Sequence, residues 1–336
     1  MTLLLTSQDI RKLCDMKDVV AMVEESYQLL GLGKIRMLPR INLDSEHTPG
    51  FLKLLPCTAH GLKEGGVYVY TAGKDQGVEK LVVLFDEQTG ELKAIIEADR
   101  LSWLRTGAAS AVATKYLARE DAHILGMIGS GRQAQSQLMA IRSVRNITLA
   151  KVYSPDPDHR LQYCRDMRES LGLEVVPVNE AREAIRDSDI VCTATTSRGP
   201  VFDGTWVRKG THINSIGAHY PTRREVDESI VVKSKVVVDS RERALEEEGE
   251  LLIPIQKGLV TKDHIYAELG DVVAGKMKGR TEKEEITWFT SGGLASECIV
   301  AAARIYEKAV SKGIGQTLDM KRDDFIPKAL HSKSGR

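Results

Sequence analysis

Apolar residues recur at three- and four-residue steps through Val20, Met22, Val23, Tyr27 and Leu30, which predicts a helix that Gly31 and Gly33 close. A shorter helical stretch precedes it, with Ser7-Gln8-Asp9 available to cap its start and Leu13 near its end. From Arg40 to Glu97 the pattern turns to β. Strands are predicted at Phe51–Leu55, Gly66–Thr71, Leu81–Phe85 and Glu91–Glu97, with Glu87-Gln88-Thr89-Gly90 as the hairpin turn between the last two. Leu104–Leu117 reads as a helix of small residues, able to pack at close backbone distance. Past Ala122, short apolar runs appear at His123–Ile128, Ile147–Tyr153, Leu173–Val176, Ile190–Ala194, His212–Ile216 and Lys235–Val238, with helical segments between several of them. That alternation predicts a parallel sheet with crossover helices. Ser291–Ala309 reads as a long helix.

Length and composition bound the picture. At 336 residues the chain suggests two domains, with the boundary near Glu120 where the rhythm changes. Lys+Arg and Asp+Glu both number 47, so nothing in the balance points to nucleic acid or an anionic membrane. The N-terminus lacks the pattern of a signal peptide, and no apolar run is long enough for a membrane helix. The five cysteines (Cys14, Cys57, Cys164, Cys192, Cys298) are odd in number and widely spaced, as expected of free thiols in a reducing cytoplasm. His47, His60 and His264 lack ligand spacing, so no metal site is expected.

The strongest local signal is the run from His123 to Ala134, in which a strand feeds Gly129-Ser130-Gly131-Arg132-Gln133-Ala134 and a helix follows. Gly129 permits a tight turn, Gly131 lets backbone approach a pyrophosphate, and Ala134 lets helix and strand pack closely. The helix N-terminus then offers free N–H groups to the phosphates. This is the fingerprint of a dinucleotide site. The next strand, Ile147–Tyr153, leads to Ser154, the position that meets the adenosine ribose. An acid there would repel a 2′-phosphate, and Ser154 does not. Asp156 falls slightly late, while Arg132 and Arg160 stand near enough to meet a phosphate. NAD and NADP both remain open, with a tilt toward NADP.

Three segments carry a family likeness. Leu101-Ser102-Trp103-Leu104-Arg105-Thr106-Gly107-Ala108-Ala109-Ser110, the glycine loop with its Gln133-Ala134, and Phe289-Thr290-Ser291-Gly292-Gly293-Leu294-Ala295 resemble motifs of the ornithine cyclodeaminase and μ-crystallin proteins. Ile216-Gly217-Ala218-His219-Tyr220-Pro221, followed by Arg224-Glu225-Val226-Asp227, is similar in outline to that family's active-site loop. The resemblance implies a Rossmann doubly wound sheet over 120–292, inserted into an α+β substrate-binding and dimerisation domain made of 1–119 and 293–336. It also implies a homodimer, which would cover the exposed strand edges of the β-rich half. Arg40 and Arg105 are the implied substrate-carboxylate ligands, a guanidinium fork matching a carboxylate in a bidentate pair. Thr106, Gln133 and Ser291 fall among the implied cofactor contacts.

Two departures stand out. Tyr68 occupies the place where the family usually has a lysine, and Lys53 or Lys74 is left to supply the missing cation. His219 stands where cyclodeaminases carry an aspartate. A histidine still suits proton transfer near neutral pH. The expected activity is therefore NAD(P)-dependent hydride transfer at the C–N carbon of a small amino or imino acid, with His219 and then Tyr68 managing the proton. A cyclodeaminase-type ammonia lyase that recycles its cofactor is the first alternative. A μ-crystallin-like protein that binds NAD(P)H and a ligand without turnover is the second.

Overall fold

Two eight-stranded sheets divide the strands by sequence position. The computed structural model describes residues 2–48, 51–71, 79–217 and 220–320.

In the N-terminal part, β1 (Thr2–Leu5) leads to α1 (Ser7–Leu13) and α2 (Met16–Gly31), then to β2 (Ile35–Met37), β3 (Ile41–Leu43), β4 (Leu52–Ala59), β5 (Glu64–Thr71), β6 (Lys80–Asp86) and β7 (Leu92–Glu97). Thr6, rather than the Ser7-Gln8-Asp9 expected from sequence, caps α1 through a reciprocal box with Asp9. Pairing is antiparallel from β2 to β7, and β1 joins β7 in parallel. The hairpin turn falls where predicted, with Gly90 at φ +70°. Period-two alternation gives this sheet two unlike faces. Leu55, Tyr68, Val82 and Ile96 form one cross-strand row on the inner face. Pro56, Val67, Val83 and Ile95 form the neighbouring row on the outer face.

Next comes α3 (Asp99–Leu117), which starts earlier than its small-residue run suggests and is buried along most of its length. The second sheet follows: β8 (Ile124–Ile128), α4 (Arg132–Val144), β9 (Leu149–Tyr153), α5 (Pro157–Leu171), β10 (Glu174–Pro177), α6 (Ala181–Ile185), β11 (Ile190–Thr193), β12 (His212–Ser215), α7 (Glu228–Lys233), β13 (Ser234–Val238), α8 (Arg241–Glu247), α9 (Gly249–Gln256), β14 (Ile265–Glu268), α10 (Leu269–Val273) and β15 (Ile286–Thr290). All its pairs are parallel, in the order β10-β9-β8-β11-β12-β15-β13-β14. The order reverses between β8 and β11, the crevice where doubly wound sheets bind ligands. The pattern of apolar runs had left out β14 and β15. β15 is buried at all five positions and lies between β12 and β13.

The chain then returns to the first sheet. α11 (Ala295–Lys312) packs on β4, β5, β6, α2 and α3, and β16 (Gln316–Leu318) pairs with β1. Small residues let α3 lie close on α4, for a Cβ at Gly107 would overlap the Ser136 carbonyl. α3 thus ties the core of the first sheet to the start of the second. Among the described residues no helix is long and apolar enough to cross a membrane.

Candidate active site

At the end of β8, Gly129 adopts φ +111°, a conformation L side chains rarely take, and a Cβ there would overlap the Ala194 carbonyl. The loop therefore lies tight against the exit of β11. Gly131 begins α4 with no side-chain cap, and the space ahead of its Cα is open. The first-turn N–H groups of α4 consequently face that space without a side-chain acceptor, an arrangement that fits a dinucleotide pyrophosphate. Trp103 Nε1 donates to the Arg132 carbonyl at 2.7 Å and fastens this turn to α3.

The flank toward β9 holds the ribose-end candidates. Ser130 Oγ donates to Ser154 Oγ at 2.9 Å and lies 2.7 Å from His159 Nδ1. Asp156 turns its carboxylate to the His159 amide at 2.9 Å, as the N-cap of α5. The two arginines set aside for a 2′-phosphate both have protein partners. Arg132 forms a bidentate pair with Asp99, and Arg160 is buried, donating to the Ser154 carbonyl at 2.7 Å and to Asn179 Oδ1 at 3.3 Å.

Beside the glycine loop opens a cavity of about 560 Å³. Arg40, Lys53, Tyr68 and Arg105 line it, together with Thr106, Gln133 and Ser291. These residues span 252 positions of sequence, and the register explains how six of the lining residues meet. Asn42, Lys53, Tyr70 and Lys80 form one cross-strand row over β3, β4, β5 and β6, and Leu55 and Tyr68 form the row behind it. Arg105 and Thr106 come from successive positions of α3. His219 and Lys74 lie outside the described residues. The flanking Ile216 and Tyr220 line the cavity.

The cations are held from behind. Arg105 Nη1 donates to Glu297 Oε2 at 2.8 Å, and Tyr27 Oη donates to Glu297 Oε1 at 2.7 Å. Gly293, at φ +81°, makes room for this guanidinium, which a Cβ would overlap. Arg40 donates to the Gly292 carbonyl at 3.1 Å and lies 3.6 Å from Glu247. Arg243 donates to that same carbonyl at 2.8 Å and to Glu247 at 2.9 Å. Asp239 accepts from Ser291 Oγ at 2.8 Å and from the Gly293 amide at 2.9 Å, which fixes the turn. Burial, with Arg243 next, pulls the Arg40 pKa down, and burial, with Arg40 next, does the same to Lys53. Tyr68 Oη donates to Ser102 Oγ at 3.0 Å, and burial pushes its phenol well up, so it stays protonated at neutral pH.

Sequence reasoning missed Glu297, Tyr27, Glu247, Arg243, Asp239 and Lys80. Tyr27 reads as one more apolar position of its helix, and the run Glu246-Glu247-Glu248-Gly249-Glu250 has the sequence pattern of a solvated helix face. Glu248 is instead fully buried and accepts from Thr290 Oγ1 at 2.8 Å. A buried arginine needs a carboxylate, which was the available signal for Glu297.

Known proteins are similar to this chain over nearly its whole length. The profile of the ornithine cyclodeaminase/mu-crystallin family matches residues 1–313. Alanine dehydrogenase of Archaeoglobus fulgidus is 37% identical over 326 residues, covering 94% of this chain and 98% of that one. The structure of Thermococcus litoralis Δ(1)-pyrroline-2-carboxylate reductase in complex with NADH and L-proline superposes with a TM-score of 0.89 at 41% identity, covering 94% of this chain and 100% of the other. An archaeal alanine dehydrogenase dimer with bound NAD gives a TM-score of 0.89 at 35% identity, covering 95% and 99% of the two chains.

Proposed function

The chain belongs to the ornithine cyclodeaminase/mu-crystallin family, and from that membership we propose that it is an NAD(P)-dependent oxidoreductase acting at the C–N carbon of a small α-amino or α-imino acid. One observation carries the reading: two part-buried guanidiniums, Arg40 and Arg105, line a cavity that also contains Gln133 of the glycine loop. Relatives that match over nearly the whole chain are an alanine dehydrogenase and a pyrroline-2-carboxylate reductase.

In this reading Gly129, Ser130, Gly131, Arg132, Gln133 and Ser154 hold the dinucleotide, with Thr106 at its phosphates and Ser291 as a further contact. When bound there, the dinucleotide supplies or accepts the hydride. Arg40 and Arg105 grip the substrate carboxylate and thereby fix the position of the α-carbon, which supplies much of the acceleration in such a transfer. Leu55 and Ile216 exclude water from the reacting carbon. The iminium must carry a proton to accept hydride, and the amine must lose one to give it. His219 keeps the proton role assigned from sequence, supported by the cavity-lining position of its neighbours Ile216 and Tyr220. Tyr68, protonated and hydrogen-bonded to Ser102, serves as a donor dipole rather than as a base.

Between the two dinucleotides, the commitments of Arg132 to Asp99 and of Arg160 to Ser154 and Asn179 move the balance from NADP toward NAD. The separation of strands between the two sheets supports the division into 120–292 and 1–119 with 293–336. A homodimer follows from the outer face of the first sheet. Leu54, Val69 and Leu81 form one apolar row there, beside the row of Pro56, Val67, Val83 and Ile95. An uncovered apolar sheet face of that breadth marks an interface. All five cysteines are unpaired and buried, in keeping with a reducing cytoplasm.

Absorbance at 340 nm tests the reading. Purified protein with NAD and L-alanine or L-proline is expected to produce NADH in step with substrate consumed. Ammonia release without net absorbance change would establish the lyase instead. Tight dinucleotide binding without turnover on any amino or imino acid would establish a binding protein.

A further inference from the structure

The charge around the cavity is nearly cancelled before any substrate arrives. Among the described residues, four cationic side chains line it, Arg40, Lys53, Lys80 and Arg105, against one carboxylate, Glu247. Arg105 is matched by Glu297 at 2.8 Å. Arg40 and Arg243 together face Glu247 and Asp239, two guanidiniums against two carboxylates, at 2.9 to 4.0 Å. Lys80 shares Asp99 with Arg132, which leaves one positive charge beside the glycine loop, where a pyrophosphate would take it up. Lys53 is different. Among the described residues it has no carboxylate within ion-pair distance, and its Nζ instead lies 5.3 Å from the centroid of the Tyr70 ring. It is half-buried and repelled by Arg40, as its lowered pKa reflects.

Among the described residues, the cavity therefore offers a substrate one uncompensated positive charge. Its other walls, Leu55, Tyr68, Ala109 and Ile216, are apolar or uncharged. We infer that the substrate is a monocarboxylate with an uncharged side chain, and that Lys53 is the residue that selects it. This rests on the oxidoreductase reading and narrows it. Arg40 and Arg105, already neutralised, provide the directed hydrogen bonds, while Lys53 provides the charge. A second carboxylate would enter a desolvated site with no cation left to meet it among the described residues. A basic side chain would bring another cation beside Lys53 and Arg40. Both are costly in a medium that screens charge poorly.

The test compares L-alanine and L-proline with L-aspartate and L-lysine on the full-length protein. Initial rates are read at 340 nm, and thermal shifts are measured with the same ligands and dinucleotide present. The kcat/KM values for aspartate and lysine are expected about 100-fold or more below that of the better neutral substrate. Lys53→Met should raise the KM of that substrate about 30-fold while kcat stays within about 3-fold, and Lys53→Arg should recover most of the loss. Aspartate or lysine turned over as well as the neutral acids would overturn the inference, as would an unchanged KM in Lys53→Met. The wild-type ranking needs no variant to fold. Should no acid turn over, the oxidoreductase reading falls, and the ranking of thermal shifts by the four ligands still decides the charge rule.

Discussion

Arg105 on α3 and Glu297 on α11 form a buried ion pair, Nη1 to Oε2 at 2.8 Å, with Tyr27 of α2 closing the other carboxylate oxygen. Burial pushes the Glu297 pKa up and the Arg105 charge opposes that push. Removing one member leaves the other charged and desolvated, so Glu297→Gln is expected to cost about 3 kcal/mol in urea unfolding. Tyr27→Phe keeps the packing and loses one bond to a charged group, about 2 kcal/mol. In that variant the KM of the amino acid substrate should rise several-fold while dinucleotide Kd is unchanged. A wild-type KM in Tyr27→Phe would show that the tyrosine only packs.

The two loop glycines should respond differently to alanine. At Gly129 the positive φ and the Ala194 carbonyl both oppose a Cβ. Gly129→Ala is expected to destabilise the protein by about 1–3 kcal/mol and to abolish dinucleotide binding. Gly131 has nothing within contact distance of a Cβ. Gly131→Ala should keep the wild-type Tm yet weaken dinucleotide binding about 10-fold, because the methyl occupies the pyrophosphate approach. Calorimetry on both variants checks this, and equal affinity in Gly131→Ala and wild type would move the pyrophosphate elsewhere.

Stability should fall as the solution becomes more alkaline through the neutral range. Glu250 is buried where it accepts from Ser215 Oγ at 2.5 Å and from the Glu225 amide at 2.8 Å. Burial and the Glu225 carboxylate raise its pKa from 4.5 to about 7. The folded chain then keeps a proton that the unfolded chain releases above pH 4.5. Stability is full below that pH, declines toward pH 7 and levels off beyond it, by at most roughly 3 kcal/mol from this group. Glu250→Gln, whose amide can pair with the rotatable Ser215 and Thr290 hydroxyls, should flatten the decline. A wild-type-to-variant difference that is constant from pH 5 to pH 8 would contradict this account.

Val83→Asp places a charge in the middle of the outer apolar row, between Val67 and Ile95. If the proposed homodimer forms through this face, light scattering should report a dimer for the wild type and a monomer for Val83→Asp, with the inner face of the sheet intact. A dimer that survives the substitution would place the interface elsewhere.

Much of this site was legible because its elements follow local rules. The glycine loop needs particular residue types within six positions, and the β8 strand before it is continuously apolar. Alternation alone places Tyr68 and Tyr70 on one face of β5 and Val67 and Val69 on the other, but that Lys53 of β4 shares the face of Tyr68 follows only from the register. β15 escaped because its five residues include two threonines and follow a charged stretch from Glu282 to Glu285. Its strand character comes from burial between β12 and β13, which only the fold supplies. The pairing of Arg132 with Asp99 and of Arg105 with Glu297 likewise joins residues 33 and 192 positions apart. No periodicity reports such partners, since each depends on how separate elements come to lie side by side.

α11 has a bearing on how the molecule is made. It covers β4, β5 and β6, yet it is translated after the entire parallel sheet. Once β15 has emerged from the ribosome, every strand of β8 to β15 is available and that block can close on itself. The inner face of β4 to β6 must wait for the last helix, and during that interval the nascent first sheet is the part of the chain most in need of a chaperone.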